Sequence, residues 1–498
     1  MKKNWRILLI LFAGVLTIAL SLVFRDRIQY LSDSLQSRLY SFHYTFFGGA
    51  SGGPSSDPSM KRYIHTYDRL PSGYIHVGHL LFYKSDGKAT LGEIASKALK
   101  YTQYFRTSSL RDAIQRFNGL QLGLQEPGRL IYIPCSLPPF QVDIRKQQKP
   151  KLVFTRGLYY SGSSIANEKI LKHIESYGKL GINTVVFDAK DVTGIINYQS
   201  NVPEAKRLNT HGMRTIDDID KLIRKLKEKG VYVIARIAVF RDHVLFKSDS
   251  RYAIKSIHTG QPWNAASKEL WCDPTSKAVQ DYNIALAVEL ADKGVDEIQF
   301  DYIRFPTHGK LSEAQFAWSF GRMSKEEAIT HFLQRAYQEI SRRNTLVSID
   351  IFGVVAWGKT VDINKTGQRI EKLSRYCDVI SPMLYPSHFN DDFDGFSRPG
   401  DHPYHFIYHG CKKVLSLSGN RPIRPWLQAF KWRVSAYNEN YILEQIKASD
   451  DSGARGYLFW NASNSYDIVL RALTIQEARR KTGSKNSIAK NSTPEKDG

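Results

Sequence analysis

Three aspartates sit in short apolar runs: Asp188 in TVVFDAK, Asp301 in DEIQFDYIRFP and Asp350 in LVSIDIFG. In an extended chain, successive side chains point to opposite faces. Ile298 and Phe300 therefore share one face, and Gln299 and Asp301 share the other. By the same count Asp350 falls with Ser348, and Asp188 with Val186 and Lys190. If the apolar faces meet a helix layer, the three carboxylates converge on one pocket. Two carboxylates flanking a glycosidic bond can cleave it: one protonates the leaving oxygen, and the other attacks or activates water. Repulsion between close carboxylates can hold one of them protonated near neutral pH. Other polar residues occupy comparable places. Arg236 lies in a third run, Tyr385 follows another, Gln428 sits in RPWLQAF and Trp460 ends GYLFW. Tyr302, Tyr385, Trp426 and Trp460 have the aromatic faces on which sugar rings stack.

The elements that must position these residues repeat from Phe154 onward. Eight β-rich runs are read at 154–159, 184–190, 231–238, 296–303, 346–353, 378–384, 424–430 and 455–460. Helical patterns fall between them at 166–180, 215–229, 276–293, 324–343 and 440–450. This alternation predicts an α/β fold, a (β/α)₈ TIM barrel over 151–476, with a doubly wound open sheet as the competing architecture. A barrel of this kind carries its site at the C-terminal ends of the strands.

The chain has 498 residues, of which 42% are hydrophobic and 24% charged, with a formal charge of +22. The apolar content suffices for a core and excludes wholesale disorder. The basic residues are dispersed, so the excess argues for affinity to anionic surfaces rather than to nucleic acid. Cys135, Cys272, Cys377 and Cys411 form no CxxC pair, and one or two bridges remain open. There is no HExxH and no metal-ligand spacing among the histidines, so no cofactor and no obligate metal are expected. Gly353 to Thr360 spells a phosphate-loop pattern. Val354, Val355 and Trp357 are too bulky for such a loop, and the next helix is expected near Gly367.

Lys2, Lys3 and Arg6 precede an uncharged run of 18 residues, Ile7 to Phe24, and Arg25, Asp26 and Arg27 follow it. Residues 1–27 read as a signal-anchor helix, favoured over a signal peptide cleaved near Ala19-Leu20-Ser21. The positive N-terminus predicts a cytoplasmic start and an exported body, secreted if the helix is cleaved. Residues 28–72 read as a juxtamembrane segment and a Gly/Ser/Pro linker, whose G-x-S-x-G at Gly49 to Gly53 lacks the flanking strand and helix of a nucleophile elbow. A small unit follows at 73–135, read as strand, helix, helix, strand. A second linker is read at 136–150, and a disordered polar tail at 477–498.

Two resemblances add to this reading. The unit at 73–135 looks like a LysM domain, a small glycan-binding module. Thr90-Leu91-Gly92-Glu93-Ile94-Ala95 matches its first helix, and Leu110 with Phe117-Asn118-Gly119-Leu120 its second. Pro127-Gly128 and Ile131-Tyr132-Ile133-Pro134 match its closing strand. From about 150 to 466 the chain resembles a bacterial family of glycoside-hydrolase-like barrels long carried as a domain of unknown function. The resemblance rests on VVFDAKDVTG, ARIAVFRD, DEIQFDYIRFP, VSIDIFG, ISPMLYPSHF, RPWLQAF and GYLFWNASNSY, in that order. It implies a nucleophilic Asp after strand 4, here Asp301, and an acid after strand 5 or 6, here Asp350.

Asp301 is accordingly the expected nucleophile or charge stabiliser, Asp350 the general acid/base and Asp188 its understudy. Arg304 is expected to keep the Asp301 pKa low. Lys190, Arg236, Tyr302, Arg304, Tyr385, His388, Gln428 and Asn461 are expected to bind substrate hydroxyls or acidic groups, with Trp426 and Trp460 as further substrate-binding residues. Asp301 and Asp350 lie on neighbouring strands, which favours the short carboxylate gap of a retaining enzyme, about 5–5.5 Å. The expected function is a membrane-anchored, exported glycosidase acting on an envelope or extracellular polysaccharide, with peptidoglycan or an amino-sugar polymer foremost. The alternative is a non-catalytic barrel that binds glycan or serves as an envelope scaffold.

Overall fold

The computed structural model describes residues 70–77, 80–134 and 152–491, apart from 103, 105, 122, 209–213, 265–267 and 318–322. The expected signal-anchor, the juxtamembrane segment, the first linker up to residue 69 and the whole second linker lie outside the described residues. Among the described residues no helix is long and apolar enough to cross a membrane. All described residues fall within one compact unit, Tyr63–Gly498.

The small N-terminal part contains β1 (Tyr74–Val77), β2 (Leu80–Lys84), α1 (Leu91–Ala98), α2 (Thr107–Asn118) and β3 (Leu130–Ile133). The strand at β2 was not expected, yet it is the centre of the antiparallel sheet: Tyr83 pairs with Tyr74 on one side and Ile131 on the other. Its LLFYK sequence has no clean alternation, and the Gly78-His79 that precedes it is not an Asn-Gly signal. Helix α1 starts on a capping box, in which the Thr90 side chain accepts from the Glu93 N–H and the Glu93 side chain accepts from the Thr90 N–H. Leu81, Tyr83, Ile131 and Ile133 of the sheet close a core with Leu91, Ile94, Leu110 and Ile114 of the helices.

The barrel follows. Its strands are β4 (Thr155–Tyr160), β5 (Thr184–Lys190), β6 (Tyr232–Ala238), β7 (Glu297–Asp301), β8 (Leu346–Phe352), β9 (Val379–Met383), β10 (Trp426–Gln428) and β11 (Gly456–Trp460). They are parallel, and β11 pairs with β4 to close the ring. The principal outer helices are α3 (Glu168–Gly178), α4 (Ile219–Glu228), α5 (Lys277–Asp292), α6 (Lys325–Ser341), α7 (Pro403–Leu417), α8 (Glu439–Ser452) and α9 (Asp467–Asn491). The outward faces of the strands, such as Val185 and Phe187, Ile298 and Phe300, and Ile349 and Ile351, share one large core with these helices. The inward faces carry Tyr159, Val186, Ile234, Trp426 and Leu458. Gly157 makes room for this filling, because a Cβ there would stand 2.4 Å from a Leu458 methyl.

The floor of the barrel is ionic. Arg424 and Glu297 are fully buried, and both guanidinium ends donate to the Glu297 carboxylate, Nη1 at 3.2 Å. Tyr232 donates to the same carboxylate at 2.8 Å, and Arg424 also donates to the Thr155 hydroxyl at 3.3 Å. The small domain docks at the opposite, C-terminal rim. Lys221 of α4, fully buried, donates to the carbonyls of Leu99, at 2.6 Å, and Tyr104. Arg106 donates to the carbonyls of Thr215 and Ser163, at 3.2 and 3.0 Å, and the Thr107 N–H to Asp217 at 2.5 Å.

Several expectations change. Helix α7 was not read from the sequence, since its Tyr and His residues blur the apolar stripe. Phe406, Ile407, Gly410, Cys411 and Val414 are nevertheless buried at helical spacing. The tail, expected to be disordered from 477, continues α9 to Asn491. Val469, Ala472 and Leu473 anchor its first turns, and Glu477 pairs with Arg480 and Lys481 one turn on. Gly353–Trp357 forms a 3₁₀ turn, and a helix begins at Thr360, not near Gly367, which ends it. Gly353 lies against the Met383 carbonyl, where a Cβ would stand 2.3 Å away, so the turn is packed onto β9 instead of forming an open phosphate cradle. Cys272, Cys377 and Cys411 are buried free thiols, and Cys135 lies outside the described residues.

The barrel floor makes the first prediction. Arg424→Met strands the Glu297 charge in the interior and should cost about 3–5 kcal/mol. Glu297→Leu combined with Arg424→Met should restore much of that loss. Urea unfolding midpoints measure both, and a double variant no more stable than the single one would refute the buried-charge account.

Candidate active site

Arg236, on the inward face of β6, is the hub of the barrel mouth. Its Nη1 donates to Asp188 of β5, and its Nη2 donates to Asp301 Oδ2 at 2.5 Å. Its Nε donates to the same Asp301 oxygen at 3.2 Å and lies 3.8 Å from Asp350 Oδ2. Tyr159 of β4 donates to the other oxygen of Asp188 at 2.6 Å. Trp426 of β10 donates its indole N–H to Asp350 Oδ1 at 2.8 Å, while Asp350 Oδ2 has no hydrogen-bond partner among the described residues. The strand register explains the convergence. Asp188 is level with Arg236, and Arg236 is level with Gln299, one inward step below Asp301.

Beyond Asp301 the chain leaves β7 by a left-handed residue, Tyr302, with φ of 53°. A side chain in that region costs on the order of 1–3 kcal/mol. The Tyr302 N–H donates to Asp301 Oδ1 at 2.5 Å, and its ring packs on Trp271 with centroids 5.9 Å apart, which offsets the strain. The kink aims the Asp301 carboxylate across the mouth.

One guanidinium among three carboxylates leaves their charge incompletely compensated. Burial pushes the Asp350 pKa well above the ordinary carboxylate value, and the Asp301 charge pushes it further. The attraction of Arg236 and the Trp426 hydrogen bond offset only part of this. Burial also raises Asp188, against the pull of Arg236 and the Tyr159 hydrogen bond. Burial opposes the Arg236 charge, but Asp188 and Asp301 more than compensate and raise its pKa. Chemically this is a proton donor beside a carboxylate that accepts hydrogen bonds. Among the described residues no group of three or more His, Cys, Asp and Glu side chains could hold a metal ion.

The structure brings Asp188, Arg236, Asp301 and Asp350 together as expected. Tyr302, Arg304 and Tyr385 lie within reach of the Asp301 charge, and His388 and Trp460 pack against Tyr385. Trp460 leans on Tyr159, Tyr385 and Phe430, with centroids 6.2, 5.9 and 5.3 Å away. His388 packs on Tyr385 and Trp432, and burial with the nearby Arg433 charge holds its pKa down at about 4, so its imidazole is neutral at pH 7.

Five expected substrate ligands have other employment, the first being Arg236, whose Nε, Nη1 and Nη2 are spent on Asp301 and Asp188. Lys190 does not share the inward face with Asp188. The pairing of β5 with β6 slips between these residues, and this bulge turns Lys190 outward. There it pairs with Asp242 at 2.8 Å and donates to the Ala238 carbonyl and to Asn283 of α5. Trp426 is 1% exposed, so it orients Asp350 and offers no face to a sugar. Gln428 is fully buried, accepts from the Ser387 N–H and donates to the Phe430 carbonyl, fixing two rim loops. Asn461 is consumed by the Ala429 carbonyl and by Ser463. Arg304 was expected beside Asp301, but Arg236 makes that ion pair. Tyr159 and Phe430 were missed. Adjacent Tyr159 and Tyr160 point to opposite sides of β4, and nothing in their identities says which one faces inward.

A separate cavity of about 820 Å³ opens at the other end of the barrel, beside Lys227, Glu289, Asp292 and Asp296. It shares no residue with the carboxylate cluster, and Lys227 pairs with Asp296 and Arg343 with Asp292.

A closed (β/α)₈ barrel with acidic residues gathered at its C-terminal mouth is the architecture of a barrel glycosidase. Residues 157–466 match the family described as "Putative glycosyl hydrolase domain", and the chain belongs to that family. Its class of substrate is accordingly carbohydrate. Among solved structures, a hypothetical protein from Ruminiclostridium thermocellum ATCC 27405 is 31% identical, with 39% of this chain and 96% of that chain covered and a TM-score of 0.34. The PgaB (BpsB) glycoside hydrolase domain from Bordetella bronchiseptica is 15% identical, covering 62% and 94%, with a TM-score of 0.46. The spore cortex-lytic enzyme SleL from Bacillus megaterium QM B1551 is 12% identical, covering 80% and 85%, with a TM-score of 0.39. No curated protein matches the chain.

Two stability measurements follow. The ordinary pKa of an aspartate is near 3.8, and the fold raises that of Asp350. The stabilisation contributed by its proton is complete below the unfolded pKa and is lost as pH rises toward the folded one. Asp350→Asn keeps a neutral group at every pH. In thermal melts from about pH 4 to pH 9, its Tm should therefore gain on that of the wild type as pH rises. A difference independent of pH would contradict the raised pKa. Lys190→Met should destabilise the fold by about 3–5 kcal/mol in urea, because Asp242 is left buried without its partner. A surface lysine would give almost no loss.

Proposed function

We propose that the protein is an exported, membrane-anchored glycosidase of a cell-envelope or extracellular polysaccharide. The observation that carries the catalytic reading is the unequal treatment of two neighbouring carboxylates by Arg236. Asp301 receives two guanidinium hydrogen bonds on one oxygen and a backbone N–H on the other. Asp350 is held by Trp426 alone on one oxygen, and burial with the Asp301 charge raises its pKa. In this reading Asp350 donates that proton to the leaving glycosidic oxygen. Asp301 attacks the anomeric carbon or stabilises the positive charge that develops there. Asp188 and Tyr159 hold Arg236 in place while Asp301 changes charge.

The LysM-like pattern at 73–135 supports a second glycan contact, and peptidoglycan or an amino-sugar polymer is the substrate proposed from it. The docking through Lys221 and Arg106 favours a module fixed at the barrel rim over one on a free tether. A fixed second site raises the effective concentration of a long polymer at the mouth. The sequence of residues 1–27 supports the membrane anchor.

A non-catalytic glycan-binding barrel is favoured by one observation: the Asp301 carboxylate is fully engaged by protein donors. Catalysis requires an arriving sugar to loosen that clamp.

The test incubates the purified protein with peptidoglycan, poly-N-acetylglucosamine, α-glucan and galactosaminoglycan, and detects released sugars by mass spectrometry. The wild type should release product from at least one polymer. Asp301→Asn and Asp350→Asn should each lose about 10²-fold or more while remaining folded. Retention of polymers in a pull-down, with no product, would establish the binding barrel instead. With an active polymer in hand, Trp426→Phe removes a hydrogen bond that lowers the Asp350 pKa. The alkaline limb of its activity profile should move to higher pH, and an unmoved or lowered limb would count against Asp350 as the acid.

A further inference from the structure

Arg304 is a buried charge that the carboxylate cluster leaves unused. It stands two residues beyond the left-handed Tyr302, at the rim of the mouth, and is 9% exposed. Its guanidinium carbon lies 4.8 Å from the ring centre of Trp271, 4.9 Å from that of Phe352 and 5.6 Å from that of Tyr302. Nη1 donates to the Phe305 carbonyl at 3.1 Å. Nε and Nη2 have no acceptor among the described residues, and neither is sealed from solvent. No carboxylate pairs with the group among the described residues. Asp301 is taken by Arg236, and the neighbouring Arg241 has Glu269 at 3.4 Å.

The aromatic rings satisfy the flat faces of the guanidinium by cation–π attraction. They do nothing for the edge formed by Nε and Nη2, whose N–H groups need acceptors. Burial without a counter-ion is costly for a guanidinium, and burial lowers the Arg304 pKa accordingly. A structural arginine in this position would be expected to have found a carboxylate. An open, planar two-donor edge held rigid between aromatic faces has the geometry that receives a carboxylate through two parallel hydrogen bonds.

We propose that Arg304 forms a subsite for a carboxylate carried by the sugar bound next to Asp301, which makes the substrate an acidic polysaccharide. The inference rests on the glycan-binding reading of the mouth and narrows its substrate class. The incoming carboxylate supplies the missing counter-ion, and Trp271 and Tyr302 shield the pair from water. A glycan bearing uronic acids or carboxyalkyl ethers has this group; a neutral or purely cationic glycan does not.

The test measures binding by the full chain carrying Asp350→Asn, so that turnover does not intrude. The probes are hyaluronan, alginate and peptide-free peptidoglycan strands, each beside its carboxyl-reduced counterpart. At least one acidic polymer should bind about tenfold or more tightly than its reduced form, the scale of a charge-assisted hydrogen bond. Arg304→Gln and Arg304→Met should each bring that ratio close to one without weakening the reduced form. Arg304→Lys, which keeps the charge but not the fork, should lie between and serves if the other variants do not fold. Absence of any acidic preference, or a preference that survives these substitutions, overturns the subsite. The glycosidase reading fails separately. Acidic preference without wild-type turnover keeps the subsite and removes the enzyme, and equal turnover of acidic and reduced forms does the reverse.

Discussion

Three carboxylates share one guanidinium at the mouth of this barrel, and the rest of the site is arranged around that imbalance. Arg236 binds Asp188 and Asp301 directly and only approaches Asp350. In a buried setting a third negative charge would be strongly disfavoured, so the proton stays on the carboxyl with the weakest claim on the arginine. The fold thereby gives two chemically identical side chains on adjacent strands different surroundings, which the proposed division of labour between them requires.

Holding that arrangement requires a rigid frame, and the frame uses charge as well as apolar packing. The Glu297–Arg424 pair closes the floor, the Lys190–Asp242 pair ties β5 to the loop after β6, and Lys221 ties the barrel to the small domain. Each is almost completely buried and strongly hydrogen-bonded. The two ion pairs add less net stability than well-packed apolar groups would, but breaking one leaves an uncompensated charge. They penalise every arrangement that separates the partners, which suits a scaffold that must fix its mouth to within a fraction of an ångström.

Much of this was legible in the sequence because period-two alternation is a strong signal. The eight strands, and the inward aim of Asp188, Asp301 and Asp350, follow from counting residues along each run. The errors have two physical sources. The first is irregular backbone. One bulged residue between Asp188 and Lys190 sends the lysine to the helix layer, and nothing in VVFDAKD announces it. The second is side-chain partnership across strands distant in sequence. Trp426, Gln428 and Asn461 have the residue types of a sugar-binding surface, yet their polar atoms are spent on Asp350, on rim carbonyls and on neighbouring hydroxyls. The counter-ion of Asp301 was sought three residues away in sequence at Arg304 and found on β6. Pairwise partners of this kind depend on the closed ring of strands, which a single sequence shows only in outline.

The central claim is that burial and the neighbouring Asp301 charge raise the Asp350 pKa, and the proposed acid role requires the raise to be large enough to keep its proton at pH 7. Infrared difference spectra between the wild type and Asp350→Asn at pH 7, in H₂O and D₂O, read this directly. The account predicts a carbonyl stretch of a buried, protonated carboxyl in the wild type, shifted by deuterium and absent from the variant. A spectrum showing only carboxylate bands at that position would mean that Arg236 neutralises all three aspartates, and the division into acid and base would be wrong.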